Sequence, residues 1–124
     1  MKTETHNLME PETQQAETLL LEALAAGDFR TAARRLVQLD RSAFAPDRLA
    51  ILEASVREGL GDRPGMYDAI RRGLIANGRN YELYVMLGNY YLEKNLQQAG
   101  LCYENALFYC DENEDREQIR GLLR

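Results

Sequence analysis

Apolar residues return along this chain every three or four positions, and each such stretch stops at residues that favour a tight turn. Leu19, Leu20, Ala23 and Leu24 form the first stripe, Gly27-Asp28-Phe29 interrupts it, and Ala32, Leu36 and Leu39 resume the spacing before Asp40 and Pro46. A second unit opens at Asp47, a candidate N-cap, and runs through Leu49, Leu52, Val56 and Leu60. It turns at Gly61-Asp62-Arg63-Pro64, with Pro64 suited to the first turn of a helix, and returns through Tyr67, Ile70, Leu74 and Ile75. Asn77-Gly78 reads as a helix stop in the left-handed conformation. A third pair of stripes fills 80–110, carried by Tyr84, Leu87, Gly88 and Tyr91 and then by Ala99, Tyr103 and Ala106. The pattern predicts three helical hairpins over 14–40, 47–77 and 80–110.

Beyond them lies the acidic run from Asp111 to Glu117, followed by Ile119, Leu122 and Leu123 at helical spacing, with Arg116, Arg120 and Arg124 along another face. Acids early and arginines late suit the helix dipole, so 111–124 is expected to hold a closing helix that covers the last apolar face. Residues 1–13 are expected to form a flexible acidic tail.

The units repeat. Gly27-Asp28 recurs as Gly61-Asp62 and, after another 34 positions, as Asn95-Leu96. In the third unit Tyr84-x-x-Leu87-Gly88-x-x-Tyr91 is followed by Ala99-x-x-x-Tyr103-x-x-Ala106, which resembles the tetratricopeptide repeat family. Small residues such as Gly88, Ala99 and Ala106 allow close approach of two helices, while Leu87, Tyr91 and Tyr103 are expected to fill the space between successive hairpins. The second unit lacks the Leu-Gly pair and the usual small residues. The resemblance implies an all-α protein, an α-solenoid of three hairpins plus a C-terminal capping helix.

In that family the first helix of each hairpin lines a concave groove that receives a peptide or protein partner. Carried over by register, the groove-facing set is Glu17 and Leu21 from the first unit, Ile51, Ala54 and Arg57 from the second, and Val85, Met86, Asn89 and Glu93 from the third. Glu58 and Glu82 fall on the same faces. Asn89, following Gly88, resembles the asparagine that some members use to clamp a C-terminal carboxylate, but Val85 and Glu17 stand where bases would be needed, so that mode of binding is not expected. The stretch 80–110 is also similar to tetratricopeptide segments beside glycosyltransferase domains in some bacterial proteins, which implies an accessory role in sugar transfer as an alternative. Seven of the ten aromatic residues lie between Tyr81 and Tyr109, and tyrosines exposed there would suit a homodimer face.

Charge narrows the partners. The net charge is −5, distributed as −4 over residues 1–27, +3 over 28–79 and −4 over 80–124. Acidic ends repel phosphates, so nucleic acid is not expected, whereas an acidic peptide could dock near the basic centre. No apolar run reaches the roughly 18 residues of a membrane helix, and the N-terminus has no secretory character, so a cytoplasmic location is expected. Cys102 and Cys110 lie about 12 Å apart along one helix, too far to bridge, and are read as reduced apolar side chains. His6 is the only histidine, no phosphate-cradling loop occurs, and no metal-ligand spacing is present. The expectation is therefore a non-catalytic adaptor, scaffold or small chaperone without a cofactor.

Overall fold

The computed structural model describes residues 11–124, which form seven helices and, among the described residues, no strand. They are α1 (Pro11–Ala25), α2 (Phe29–Val37), α3 (Pro46–Gly59), α4 (Arg63–Ala76), α5 (Tyr81–Tyr91), α6 (Leu96–Tyr109) and α7 (Asn113–Leu122), with a 3-10 turn at Arg41–Ala43. Helix α1 starts three residues before the expected position, because Pro11 has no N–H to satisfy and its fixed φ suits a first turn, and Glu12 adds a favourable charge there. The rest of the expected tail, residues 1–10, lies outside the described residues.

The first two hairpins are closed in the same way. Gly27 and Gly61 adopt φ of 75° and 77°, the left-handed region that glycine enters without a side-chain clash. Their N–H groups bond Leu24 O and Glu58 O, while Asp28 N and Asp62 N reach back to Ala23 O and Arg57 O, so each helix end is satisfied in a Schellman motif. The same aspartates then accept from Thr31 N and Gly65 N and begin the return helices. Two residues both end one helix and start the next.

The third hairpin has no left-handed residue at this point. Asn95, extended at φ −156°, caps α6 by accepting from Gln98 N. The structural equivalents are thus Asp28, Asp62 and Asn95, which are 34 and then 33 positions apart, and the third unit is one residue shorter than the sequence alignment of Gly27, Gly61 and Asn95 implies.

Two other turn expectations are corrected. Asn77-Gly78 contains no left-handed residue; Asn77 is extended, and its carboxamide turns the chain by accepting from Arg79 N. Asp47 is not an N-cap, because Ala45 holds that position with Pro46 after it. Instead the Asp47 carboxylate accepts from the side-chain amides of Asn80 and Asn77, at 2.8 and 2.9 Å, and ties the start of α3 to the link before α5. The Asn80 and then the Asn77 donors hold its pKa below the usual carboxylate value. A depressed carboxylate stabilises the fold above its unfolded pKa of about 3.9 and loses that contribution as pH falls through the lower folded value. In acid melts from pH 6 to pH 2, Asp47→Asn will therefore flatten the drop in melting temperature below about pH 4 relative to wild type. An unchanged profile would show that the two amides do not depend on the charge.

Packing falls into three linked clusters. Leu20 and Ala23 of α1, Ala32 and Leu36 of α2, Leu39 and Phe44 of the link, and Leu52 and Val56 of α3 form the first. Ala50 and Ala54 of α3 join Met66, Ala69 and Ile70 of α4 and Leu83 of α5 in the second. Ala99, Tyr103 and Ala106 of α6 meet Cys110 and Ile119 in the third. Helix α3 feeds two clusters through positions two apart, which only a helix buried on two sides can do.

Small residues sit wherever helices come closest. A Cβ on Gly73 would lie 2.6 Å from the Ala50 methyl and 2.7 Å from a Leu83 methyl, so the second hairpin, expected to lack small residues, has them on its return helix. Gly88 lies directly beneath the Tyr103 ring. Tyr103 therefore fills space inside its own hairpin rather than between hairpins, with its hydroxyl donating to Asn89 Oδ1 at 2.6 Å. Cys102 and Cys110 are free and buried, and burial raises the Cys102 thiol pKa, which matches the apolar reading of that side chain.

Candidate functional site

Each even-numbered helix packs mainly on the odd-numbered helix before it and the one after it. Among the odd-numbered helices, α3, α5 and α7 enclose an open cleft of about 400 Å³. This is within the range of ordinary ligand sites, roughly 300 to 1,000 Å³.

Ile51, Ser55 and Glu58 enter it from α3, spaced four and three apart and hence on one helical face. Ser55 Oγ donates to Ile51 O at 2.9 Å, which spends its hydrogen within the helix. Glu82, Val85 and Met86 come from α5, and Asp115, Gln118, Ile119 and Leu122 from α7. Ile51, Val85, Met86 and Leu122 make an apolar floor. Glu58, Glu82 and Asp115 place three carboxylates around it, and no arginine or lysine lines the cleft.

Tyr81 fixes the far wall. Its hydroxyl donates to Asp115 Oδ2 and lies 3.5 Å from Glu112 Oε1, joining α5 to the start of α7. The Asp115 carboxylate holds the phenol proton and drives the Tyr81 pKa well above its ordinary value. In return the phenol, followed by Glu112, keeps Asp115 below the usual carboxylate range, while Asp115 pushes Glu112 upward. Asp115 therefore gives up its proton before Glu112 does.

The basic middle of the chain does not reach this cleft. Glu53, on the side of α3 that faces α4, is half-buried and draws in Arg72 at 3.3 Å, Arg41 at 3.8 Å and Arg57 at 3.9 Å. Arg48, at the start of α3, pairs with Glu17 of α1. The acidic peptide permitted by the charge of residues 28–79 would thus meet carboxylates in the cleft.

Of the residues carried over from the family register, the structure brings together Ile51, Val85 and Met86, with Glu58 and Glu82 beside them. Ala54 is corrected outright: it is fully buried in the second cluster, because a methyl is all that fits where α3 meets α4. Arg57 points away from the cleft, to Glu53 and Asp62. Asn89 is exposed but accepts the Tyr103 hydroxyl on the α6 side of α5. Glu93 follows the end of α5, in the turn to α6. Glu17 and Leu21 belong to α1, which does not border the cleft.

Sequence reasoning missed Tyr81, Ser55 and the whole α7 wall. The signal is present, since Asp115, Ile119 and Leu122 are spaced four and three apart like Ile51, Ser55 and Glu58, but from sequence alone the same stripe reads equally as a cover for the last hairpin. Among the described residues no group of three or more His, Cys, Asp or Glu is placed to hold a metal ion, and no helix is long and apolar enough to cross a membrane. His6 lies outside the described residues. Comparison with family models, curated proteins and solved structures finds no match to the chain.

Proposed function

We propose that the protein is a non-catalytic interaction module, a tetratricopeptide-like stack of three hairpins closed by α7, that holds a cationic and partly apolar segment of another polypeptide between α3, α5 and α7. Support for the stack comes from the recurring Gly-Asp links, from the cap spacing of 34 and 33, and from Gly88 and Ala106 at the close approach of the third hairpin. Support for the ligand chemistry rests on one observation: Glu58, Glu82 and Asp115 surround Ile51, Val85, Met86 and Leu122 with no neutralising base. Such a surface rejects anionic segments and rewards a helix carrying Lys or Arg beside an apolar stripe.

The choice of variant matters for the test. Val85 and Met86 are half-buried against the third and second clusters, so a charge placed there would damage the fold as well as the cleft. Glu58 and Glu82 are exposed and in no ion pair among the described residues. Titration with a labelled amphipathic Lys-Leu helical peptide is expected to shift amide resonances of Ser55, Glu58, Glu82 and Gln118. Glu58→Lys with Glu82→Lys is expected to weaken binding at least tenfold, about 1.4 kcal/mol, with the melting temperature preserved. Equal affinity in the double variant, or shifts centred on other helices, rejects the cleft as the site.

A further inference from the structure

Helix α2 gathers positive charge that nothing around it matches. Its nine residues hold three arginines and no acid. Over 28–79 as a whole ten bases stand against seven acids, so without α2 that stretch is balanced at seven each. Helical geometry puts Ala32 and Leu36, both buried, and Phe29 and Ala33, both half-buried, on one side of α2. Arg30, Arg34 and Val37, four and three positions apart, run down the other side, with Thr31, Arg35 and Gln38 next to them. Val37 is 82 % exposed, more than any other large hydrophobic residue among those described. Thr31, Arg34, Arg35 and Gln38 line a hollow of about 130 Å³. There Arg34 Nη2 donates to Thr31 Oγ1 at 3.0 Å and Arg35 Nη1 to Gln38 Oε1 at 3.4 Å, so both guanidinium groups are held by neutral acceptors. Among the described residues no carboxylate lies within ion-pair distance of Arg30, Arg34 or Arg35, whereas Arg41, Arg48, Arg57, Arg72 and Arg120 all have one. The helix dipole accounts for Arg34 and Arg35 in the last turn, but Arg30 stands in the first, where a base is disfavoured.

We propose that this face of α2 docks a short acidic segment of a protein partner, at a second surface opposite in charge to the cleft. No residue of α2 lines the cleft, so the two surfaces are separate. Arg30 and Arg34 lie about 6 Å apart along the helix axis, which matches two glutamates four positions apart on a partner helix. A carboxylate in the hollow meets two guanidinium groups and gains charge-assisted hydrogen bonds that Thr31 and Gln38 do not offer them. Val37 gives an apolar residue of the same segment a place to bury. Charge also sets the length of the ligand. Asp28 and Asp40, both exposed, stand just before and just after α2, and the chain as a whole carries −5. A phosphate backbone or an anionic membrane extending past the helix would meet these acids, whereas a segment with two or three carboxylates stays within the basic face.

The test uses an alanine-based helical peptide carrying Glu-x-x-x-Glu-x-x-Leu, and the same peptide with glutamine in place of both glutamates. Titration of the full chain with the acidic peptide is expected to shift amide resonances of Arg30, Arg34, Val37 and Gln38 and to leave those of Ser55 and Glu82 in the cleft unmoved. The glutamine peptide is expected to bind at least tenfold more weakly, and Arg30→Glu with Arg34→Glu to weaken the acidic peptide at least tenfold. Arg71→Glu with Arg79→Glu makes the same change in net charge on another part of the chain and is expected to keep the affinity within about twofold. Circular dichroism verifies that each variant stays folded, and Arg30→Gln with Arg34→Gln replaces the glutamate pair if that variant unfolds. Absence of binding to wild type, equal affinity for the glutamine peptide, or an equal loss in the Arg71 and Arg79 variant would each overturn the assignment. So would self-association of wild type, or tighter binding to a single-stranded oligonucleotide or to phosphatidylserine vesicles, that Arg30→Glu with Arg34→Glu abolishes.

Discussion

Leu83→Ala will remove about 2–5 kcal/mol of stability and lower the melting temperature by roughly 10–15 °C. Leu83 is fully buried, and one of its methyl groups lies over Gly73, where α4 passes closest to α3. It is the α5 member of the second core cluster and so joins the second hairpin to the third. Alanine leaves a hole beside Gly73, Ala50 and Ala54, none of which has a longer side chain to swing into it. Typical domains hold only about 5–15 kcal/mol in total, so the loss is a large share. Leu96→Ala is the control: that side chain is 73 % exposed, and its removal will stay within about 0.5 kcal/mol. Thermal and urea denaturation of both variants measure the difference, and a Leu83→Ala loss under about 1 kcal/mol would show that the hairpins do not meet as described.

Gly88→Val will cost more than about 3 kcal/mol, enough to unfold the third hairpin at moderate temperature. A Cβ at this position would lie 2.4–2.8 Å from three carbons of the Tyr103 ring, well under van der Waals contact, and the ring has little room to retreat, since Tyr103 is 1 % exposed and its hydroxyl is held by Asn89. Alanine at the same site gains about 1 kcal/mol of helix propensity, which offsets part of the same overlap, whereas the branched valine brings more bulk and less propensity. Adding Tyr103→Leu to Gly88→Val opens room above the helix and will recover part of the loss. If the double variant is no better than the sum of the two single ones, the ring contact is not the cause. Near-ultraviolet circular dichroism, dominated by tyrosines of 81–109, follows this hairpin selectively.

The helices were legible because their apolar stripes recur at helical spacing, and the first two links because only glycine accommodates the left-handed turn found at Gly27 and Gly61. Other features depended on distant partners. Asp47 has the composition of a cap, and nothing near it in sequence reveals that Asn77 and Asn80 will compete for its carboxylate. Asn77-Gly78 has the composition of a left-handed stop, but the same Asp47 holds Asn77 extended. For the cleft, the family register placed Ile51, Val85 and Met86 where they are found, and failed at Ala54 and Arg57 because a register of helical positions does not say which side of α3 meets α4. The charge of the site was legible least. The ten bases of 28–79 suggested a positive centre, yet Glu53 gathers three of them on the far side of α3, and the acids that line the cleft come from three separate helices.

The three-residue links have a kinetic consequence. A helix pair joined through Gly27-Asp28 or Gly61-Asp62 forms its contacts with almost no chain to close, so the search that slows most topologies is short here. Each helix also leans chiefly on its immediate predecessor and successor, which makes opening a matter of unzipping from either end. Amide hydrogens of α3 and α4, flanked on both sides, will therefore exchange most slowly with solvent, and those of α1 and α7 will exchange first.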